Sequence, residues 1–556
     1  MEVQEQQAAA IRERDLALAM HETFLSSGSE DALSPRSPRF QNRDIRSPFG
    51  SFSNRSPRSS STTPRPSFSS SSSPSSPSPS SSSSLAATVA AEKGSAGLES
   101  SKILKGDQQI SQQLGQKEDG GHKLEQQGGG GKEETELKLE ACLQRLRETE
   151  FDHHQKGVAR LNNGSFGTCP KSVLLRQEQW MQQWLAQPDD MYFGPLDKGL
   201  LESRKVVAAH VNCPVEQLVL LDNVTVAANV VAMDVMWSFI QGQFQKGDCI
   251  LLSNFTYGAL KTTFEAYAVR AGAHILRADI PFPVSSKDEI LSSYERVLQG
   301  AQKDGRVIRL ALVDHVVSMP SMIIPLKELI SLCRRYGVEQ VLVDGAQTLG
   351  NVQLDLMEID ADYYAGNLHK WFFAPSSAAF LYSKPKHLPR LHHPIISHNY
   401  GKGFAVECEW MGTRDFSAML AVPAAFDFFK KIPGGYEAVR AYNHKKIIAA
   451  GKMLAEAWGT DCGVAPELCG SMVMVGLPPA LGIQTMDDAH ALRTRLRNEF
   501  SIEVHTFIPP RELAGASPVK GVTAHVRIGH QIYNTWPEYL RLRDVVNALV
   551  EEKSIK

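Results

Sequence analysis

From about residue 167 to residue 410, short apolar runs alternate with longer amphipathic segments. The runs at 218–221, 249–252, 274–276, 308–313, 341–343 and 378–382 are almost continuously apolar, which predicts strands covered on both faces. Strands of that kind separated by helices define an α/β layer fold built on a mainly parallel sheet. Ligands in such sheets bind past the carboxyl ends of the strands. The most apolar long stretch, 224–240, is interrupted by Asn229 and Asp234, so it predicts a buried helix and not a membrane span.

Past residue 415 the pattern changes. Helices are expected at 421–429, 436–458 and 487–500 and strands at 472–475, 502–504 and 523–528, a smaller α+β domain over 416–556. Upstream, Leu139, Cys142, Leu143 and Leu146 make one apolar stripe at helical spacing, so the ordered chain opens near Lys132 and the large domain spans 133–415. No internal repeat is visible.

Residues 1–132 read as a leader. From about residue 25 it is dominated by Ser, Pro, Arg, Gly and Gln, a composition that cannot bury enough apolar area to offset its ordering entropy, so disorder is expected. Seven arginines, Arg36, Arg39, Arg43, Arg46, Arg55, Arg58 and Arg65, make its first part basic. No aromatic platform accompanies them, which argues against a nucleic-acid arm, and the formal net charge of −2 calls for no polyanionic partner. A Ser- and Arg-rich leader also resembles an organelle transit peptide, but Glu2, Glu5, Glu13, Asp15, Glu22, Glu30 and Asp31 are a poor start for import. Cytoplasm, plastid and mitochondrion all stay open. The eight cysteines show no Cys-x-x-Cys pair and no histidine at ligand spacing, so neither a disulfide framework nor a metal site is expected and a reducing compartment fits.

Against this background Lys370 stands out. It lies in the polar, glycine-bearing segment 361–371, read as a turn, and follows the strand-end acid Asp344 by 26 residues. A lysine so placed can form an imine with an aldehyde, and a strand-end aspartate can keep a pyridine nitrogen protonated. At 220–229 a strand, a turn and a helix start offer Thr225 at a helix N-terminus, suited to a phosphate. Read alone, Thr225 is an ordinary cap and Asp344 a turn residue.

The strings Asn162-Asn163-Gly164-Ser165-Phe166-Gly167, Asn367-Leu368-His369-Lys370-Trp371, Trp410-Met411-Gly412-Thr413-Arg414-Asp415 and His525-Val526-Arg527-Ile528 occur in this order. With Asp344 and Gln347 between them, the chain resembles the class V aminotransferases of fold type I over about residues 135–556. Within them it looks most like the isopenicillin N epimerase-like branch, and closest to its L-cysteine desulfhydrases. The resemblance implies pyridoxal 5'-phosphate as cofactor, Lys370 as its covalent anchor and catalytic base, and Asp344 as partner of the ring nitrogen. Gln347 would bond the phenolic oxygen, and Tyr257 would stack on the ring. Thr225, the amide of Val226 and His369 would hold the phosphate. Thr413 would reach the phosphate of a second subunit, implying a homodimer. Arg527 would take the substrate carboxylate, with Asn163 and Ser318 completing the substrate wall. A core role for Tyr257 and a merely satisfied ring for His369 are the alternatives.

The related cysteine desulfurases carry a catalytic cysteine shortly before the carboxylate-binding arginine. Here 471–556 contains no cysteine, and no other side chain supplies that thiolate. The expectation is therefore α,β-elimination from L-cysteine to sulfide, pyruvate and ammonia. Epimerisation, which needs a second acid opposite Lys370, is the alternative. A non-catalytic regulatory protein on the same fold is less well supported, because Lys370 and Asp344 are both present.

Overall fold

The computed structural model describes residues 130–509, 519 and 521–555. The expectation for the leader falls almost wholly outside them. The first strand, β1 (Ala159–Arg160), follows a helix at Gly130–Thr149 whose Leu143 and Leu146 are buried. Seven further strands form the main sheet: β2 (Leu218–Leu221), β3 (Cys249–Ser253), β4 (His274–Ala278), β5 (Ile308–Asp314), β6 (Gln340–Gly345), β7 (Tyr363–Asn367) and β8 (Ala379–Ser383). Their spatial order is β2-β8-β7-β6-β5-β3-β4, with β4, β3, β5, β6 and β7 parallel and β8 antiparallel to both its neighbours.

Apolar side chains on both faces make this a two-sided core. Val313, Val343 and Tyr364 pack on one side and Leu312, Leu342 and Tyr363 on the other. Strand β7 corrects the reading of 361–371 as a turn. In Tyr363-Tyr364-Ala365-Gly366-Asn367 only the two tyrosines favour a strand, and Ala, Gly and Asn dilute that signal. The segment extends because the two tyrosines fill opposite core layers, and the turn begins only at Leu368 and runs through Trp371.

The helix Val224–Ile240 covers one face with Ala227, Val231 and Val235. Asp234 interrupts its apolar run because Arg390 Nη2 reaches its carboxylate at 2.7 Å inside the fold. Three more strands, β9 (Met472–Gly476), β11 (His505–Phe507) and β12 (His525–Gly529), form an antiparallel sheet in the order β11-β12-β9, while β10 (Ile502–Glu503) runs parallel to β1. The helix Trp536–Ile555, which was not expected, closes the chain and buries Tyr539, Leu542, Val546 and Leu549. No helix among the described residues is long and apolar enough to cross a membrane.

Candidate active site

The carboxyl ends of β3, β5, β6 and β7 carry Ser253, Asp314, Asp344 and Asn367. The turn after β7 lifts Lys370 over this edge. A nearby loop meets that turn main chain to main chain. Gly167 holds φ 73°, and a Cβ there would lie 1.9 Å from the backbone oxygen of His369. Any side chain would push the loop off the lysine turn.

Lys370 Nζ has no hydrogen-bond or ion-pair partner among the described residues. Burial brings its pKa down to about 8, with Asp344 opposing and Arg527 adding to the fall. About a tenth of the amine is therefore uncharged at pH 7, far more than in an ordinary lysine, and this is the form that attacks an aldehyde. Asp344 is buried, and its Oδ1 accepts from the amide of Ala346 at 2.8 Å. Burial pushes its carboxyl above the usual range, against the pull of Lys370. A buried anion with so little compensation fits a cationic ring nitrogen as its missing partner.

Gln347 has its amide orientation set: Oε1 accepts from the indole of Trp371 at 2.7 Å, and Nε2 donates to Gly164 O at 2.7 Å, leaving one hydrogen on Nε2. Tyr257, 46 % exposed, caps the helix Gly258–Phe264 and feels both Asp344 and Arg527. Burial, then Asp344, raises its phenol, so the hydroxyl keeps its proton.

At the phosphate end, the cap of the helix Val224–Ile240 is Asn223, whose side chain accepts from the Val226 amide at 3.0 Å. The amide of Val224 goes to Asn367 Oδ1 at 3.1 Å. Thr225 is thus not the cap, and its side chain stands exposed at the helix N-terminus. His369 Nδ1 lies 3.0 Å from Ala378 O, and burial lowers its pKa to about 4. Neutral, with Nδ1–H on a carbonyl, it presents a lone pair at Nε2. It must gain a proton to donate to a phosphate.

The Arg527 guanidinium is buried in β12. It bonds Ser318 O and Oγ at 3.1 and 3.0 Å through Nη1, and Asn162 Oδ1 and Ser165 Oγ, both at 2.7 Å, through Nη2. All four acceptors are neutral. Burial brings its pKa down to about 10, with Arg493 adding to the fall. Asn163 is turned elsewhere: Nδ2 donates to Lys370 O at 3.1 Å and Oδ1 accepts from Tyr533 at 2.7 Å. Asn162 and Ser165 meet the arginine instead, and both lie in the string that drew attention to Asn163.

Thr413 stands apart. It is exposed and lines a surface hollow with Trp180, Trp184, Met191, Phe416 and Leu420. Its neighbour Arg414 is ion-paired to Asp222, just before the phosphate-end helix.

A buried, partnerless amine beside a buried carboxylate, with a half-exposed aromatic ring and a helix N-terminus, defines a site for a planar aldehyde carrying a basic ring nitrogen and a phosphate. Pyridoxal phosphate fits this set of residues. The aminotransferase class-V family profile matches residues 167–535, and the chain belongs to that family. It is 44% identical to an L-cysteine desulfhydrase of Arabidopsis thaliana over 414 residues, which span 73% of this chain and 91% of the relative. It is 31% identical to the isopenicillin N epimerase of Streptomyces clavuligerus, spanning 71% and 96%. The fold matches an apo cysteine desulfurase from Thermococcus onnurineus NA1 with a TM-score of 0.58 at 19% identity, over 74% of this chain and 98% of that one. The expected mainly parallel α/β architecture of fold type I is thereby borne out.

Proposed function

We propose that this protein is a pyridoxal phosphate-dependent L-cysteine desulfhydrase, converting L-cysteine and water into hydrogen sulfide, pyruvate and ammonia by α,β-elimination. The observation that carries this reading is the buried Lys370 amine beside Asp344. The name of the Arabidopsis relative supports the substrate. The bound cofactor supplies an electrophilic aldehyde and an electron-accepting ring. Lys370, uncharged above about pH 8, is the base for the substrate α-hydrogen. Asp344 holds negative charge where a ring proton would sit, and Arg527, whose four protein acceptors are all neutral, supplies the positive charge for a substrate carboxylate that exchanges with one or more of them.

Three of the eight cysteines are poorly suited to carry sulfur. Burial pushes Cys333 and Cys469 up to about 12 and Cys462 up to about 11, so these thiols stay protonated at neutral pH. We read the protein as a homodimer in which Thr413 serves the partner's cofactor phosphate, with residues 133–415 and 416–556 as large and small domains. Leu185 and Phe193, 76% and 82% exposed near that surface, suit an interface.

The test is the purified full-length protein with pyridoxal phosphate and L-cysteine. Sulfide and pyruvate should appear in equal amounts without added thiol. Alanine together with a protein-bound persulfide would overturn the reading. Tyr257, a protonated phenol at the site, favours epimerisation as the second reading. Inversion of recovered amino acid in heavy water, without sulfide, would establish it.

A further inference from the structure

The site contains a second buried acid. Asp314 ends β5 as Asp344 nears the end of β6, and the two are register partners on neighbouring parallel strands. Partners in a parallel pair point to the same face. Both are 4% exposed. Asp314 Oδ2 is buried with no hydrogen-bond partner, and no ion pair reaches this carboxyl among the described residues. Two carboxylates on neighbouring strands of a dry site cannot both stay charged, and the orphaned oxygen of Asp314 is where a proton belongs.

Asp314 also reaches sideways. The backbone amide of Tyr257 and the Thr256 hydroxyl, both in the turn after β3, favour its charged form. Thr256 Oγ1 in turn accepts from the amide of Ser253, the last residue of β3, at 3.0 Å. The turn that presents the Tyr257 ring therefore lies close to this carboxyl. The groups facing Asp314 are Asp344 from β6, Thr256 and Tyr257 from the turn, and Tyr294 from the helix Lys287–Lys303. Lys370 faces Asp344.

We propose that Asp314 is a positioning residue of this site, an uncharged carboxylic acid that donates its proton to Asp344 and holds the Tyr257 turn with its remaining oxygen. Of this pair only Asp344 is then an anion, with its carboxylate oriented by two donors, Ala346 N–H and Asp314 O–H. Burial, and then the Asp344 charge, raise the Asp314 carboxyl well above the usual range, in agreement with the geometry. Asp314 falls just before His315-Val316-Val317-Ser318, outside every string that made the family legible.

The inference rests on Lys370 and Asp344 marking the site, but not on the substrate or the reaction. Its test is an infrared spectrum of the full-length protein at neutral pH, with cofactor and after the cofactor is stripped. The wild-type spectrum minus that of Asp314→Asn should contain the carbonyl band of an un-ionised carboxylic acid. No such band, or one that persists in Asp314→Asn and so belongs to another buried acid such as Asp234, Glu409 or Glu538, overturns the proposal. Should Asp314→Asn fail to fold, Thr256→Val removes one donor to the same carboxyl, and the wild-type band must move; an unmoved band overturns it equally. Affinity for pyridoxal phosphate, read by absorbance after dialysis, gives a second arm. Asp314→Ala should weaken it about tenfold by freeing the Tyr257 turn. Asp314→Asn should restore most of the loss, because its amide keeps an acceptor for Tyr257 and a donor for Asp344. Equal affinity in all three proteins, or equal loss in both variants, overturns the positioning role. None of these measurements uses L-cysteine, so their failure is distinct from failure of the assigned reaction.

Discussion

Trp371 fixes the orientation of Gln347: the indole nitrogen donates to Oε1 at 2.7 Å, and both residues are buried. Because the carbonyl end of the amide is held, the NH2 end must face Gly164 O and the site. Trp371→Phe keeps most of the packing but leaves Oε1 buried without a donor. The expected loss is about 1–3 kcal/mol of unfolding free energy, read as a lower denaturant midpoint. An unchanged midpoint would mean that the indole bond contributes nothing.

Lys370 makes stability depend on alkaline pH. Its folded pKa, about 8, lies below the ordinary lysine value of 10.5. Between those values the unfolded chain binds more protons than the folded one, so stability rises with pH across the window. Lys370→Met removes the titrating group. In cofactor-free protein the wild type should gain on the order of 3 kcal/mol relative to this variant from pH 8 to 10.5. Parallel stability curves would contradict it.

Borohydride should fix pyridoxal phosphate covalently to the peptide bearing Lys370, because that amine is the one at the strand ends without a partner. Mass mapping of the reduced protein checks the position. A reducible adduct retained in Lys370→Ala would remove the lysine from its role.

Asp344→Asn removes the charge facing the ring nitrogen and keeps an acceptor for the Ala346 amide. Cofactor should still bind, while kcat falls by roughly 10²–10³, the scale of a lost preorganised electrostatic contact. Steady-state kinetics on cofactor-saturated variant decide it, and unchanged turnover would exclude Asp344 from the mechanism.

Arg527→Lys replaces a planar fork by a single ammonium, so at least one of Ser318, Asn162 and Ser165 loses its donor. KM for L-cysteine should rise roughly 10- to 100-fold with a smaller change in kcat, the scale of a lost charged hydrogen bond. A variant altered in kcat alone would place Arg527 away from the substrate carboxylate.

The buried strands were legible in the sequence because a sheet covered on both faces leaves apolar runs, and 218–221 coincides with β2. Strand β7 was not, because Ala365-Gly366-Asn367 dilutes the strand signal of its two tyrosines, and packing of the tyrosines in opposite core layers extends the segment. The stripe Tyr539, Leu542, Val546 and Leu549 could have revealed the last helix, since its spacing is helical. Lys370 and Asp344 were legible as chemistry. The direction of an amide was not: that Asn162 faces Arg527 while Asn163 faces Lys370 O and Tyr533 depends on the local backbone turn at 163–166, which adjacent identical residues cannot encode. Asp314 follows its predicted strand just as Asp344 does, but it was overlooked because no family string contains it, whereas Asp344 is followed by Gln347 and Lys370.

Asn162 and Ser165 meet Arg527 across 365 and 362 residues of chain, and Asn163 meets Tyr533 across 370. On a ribosome, the loop that lies against Lys370 is made long before the arginine and tyrosine that immobilise it. The main sheet can assemble during synthesis, yet the pocket above it has no finished wall until β12 and the residues just after it have emerged. A chain stopped before residue 527 would carry the lysine and its acid without a receptor for the substrate, so translation itself delays the appearance of a reactive amine in a completed pocket until the molecule is almost whole.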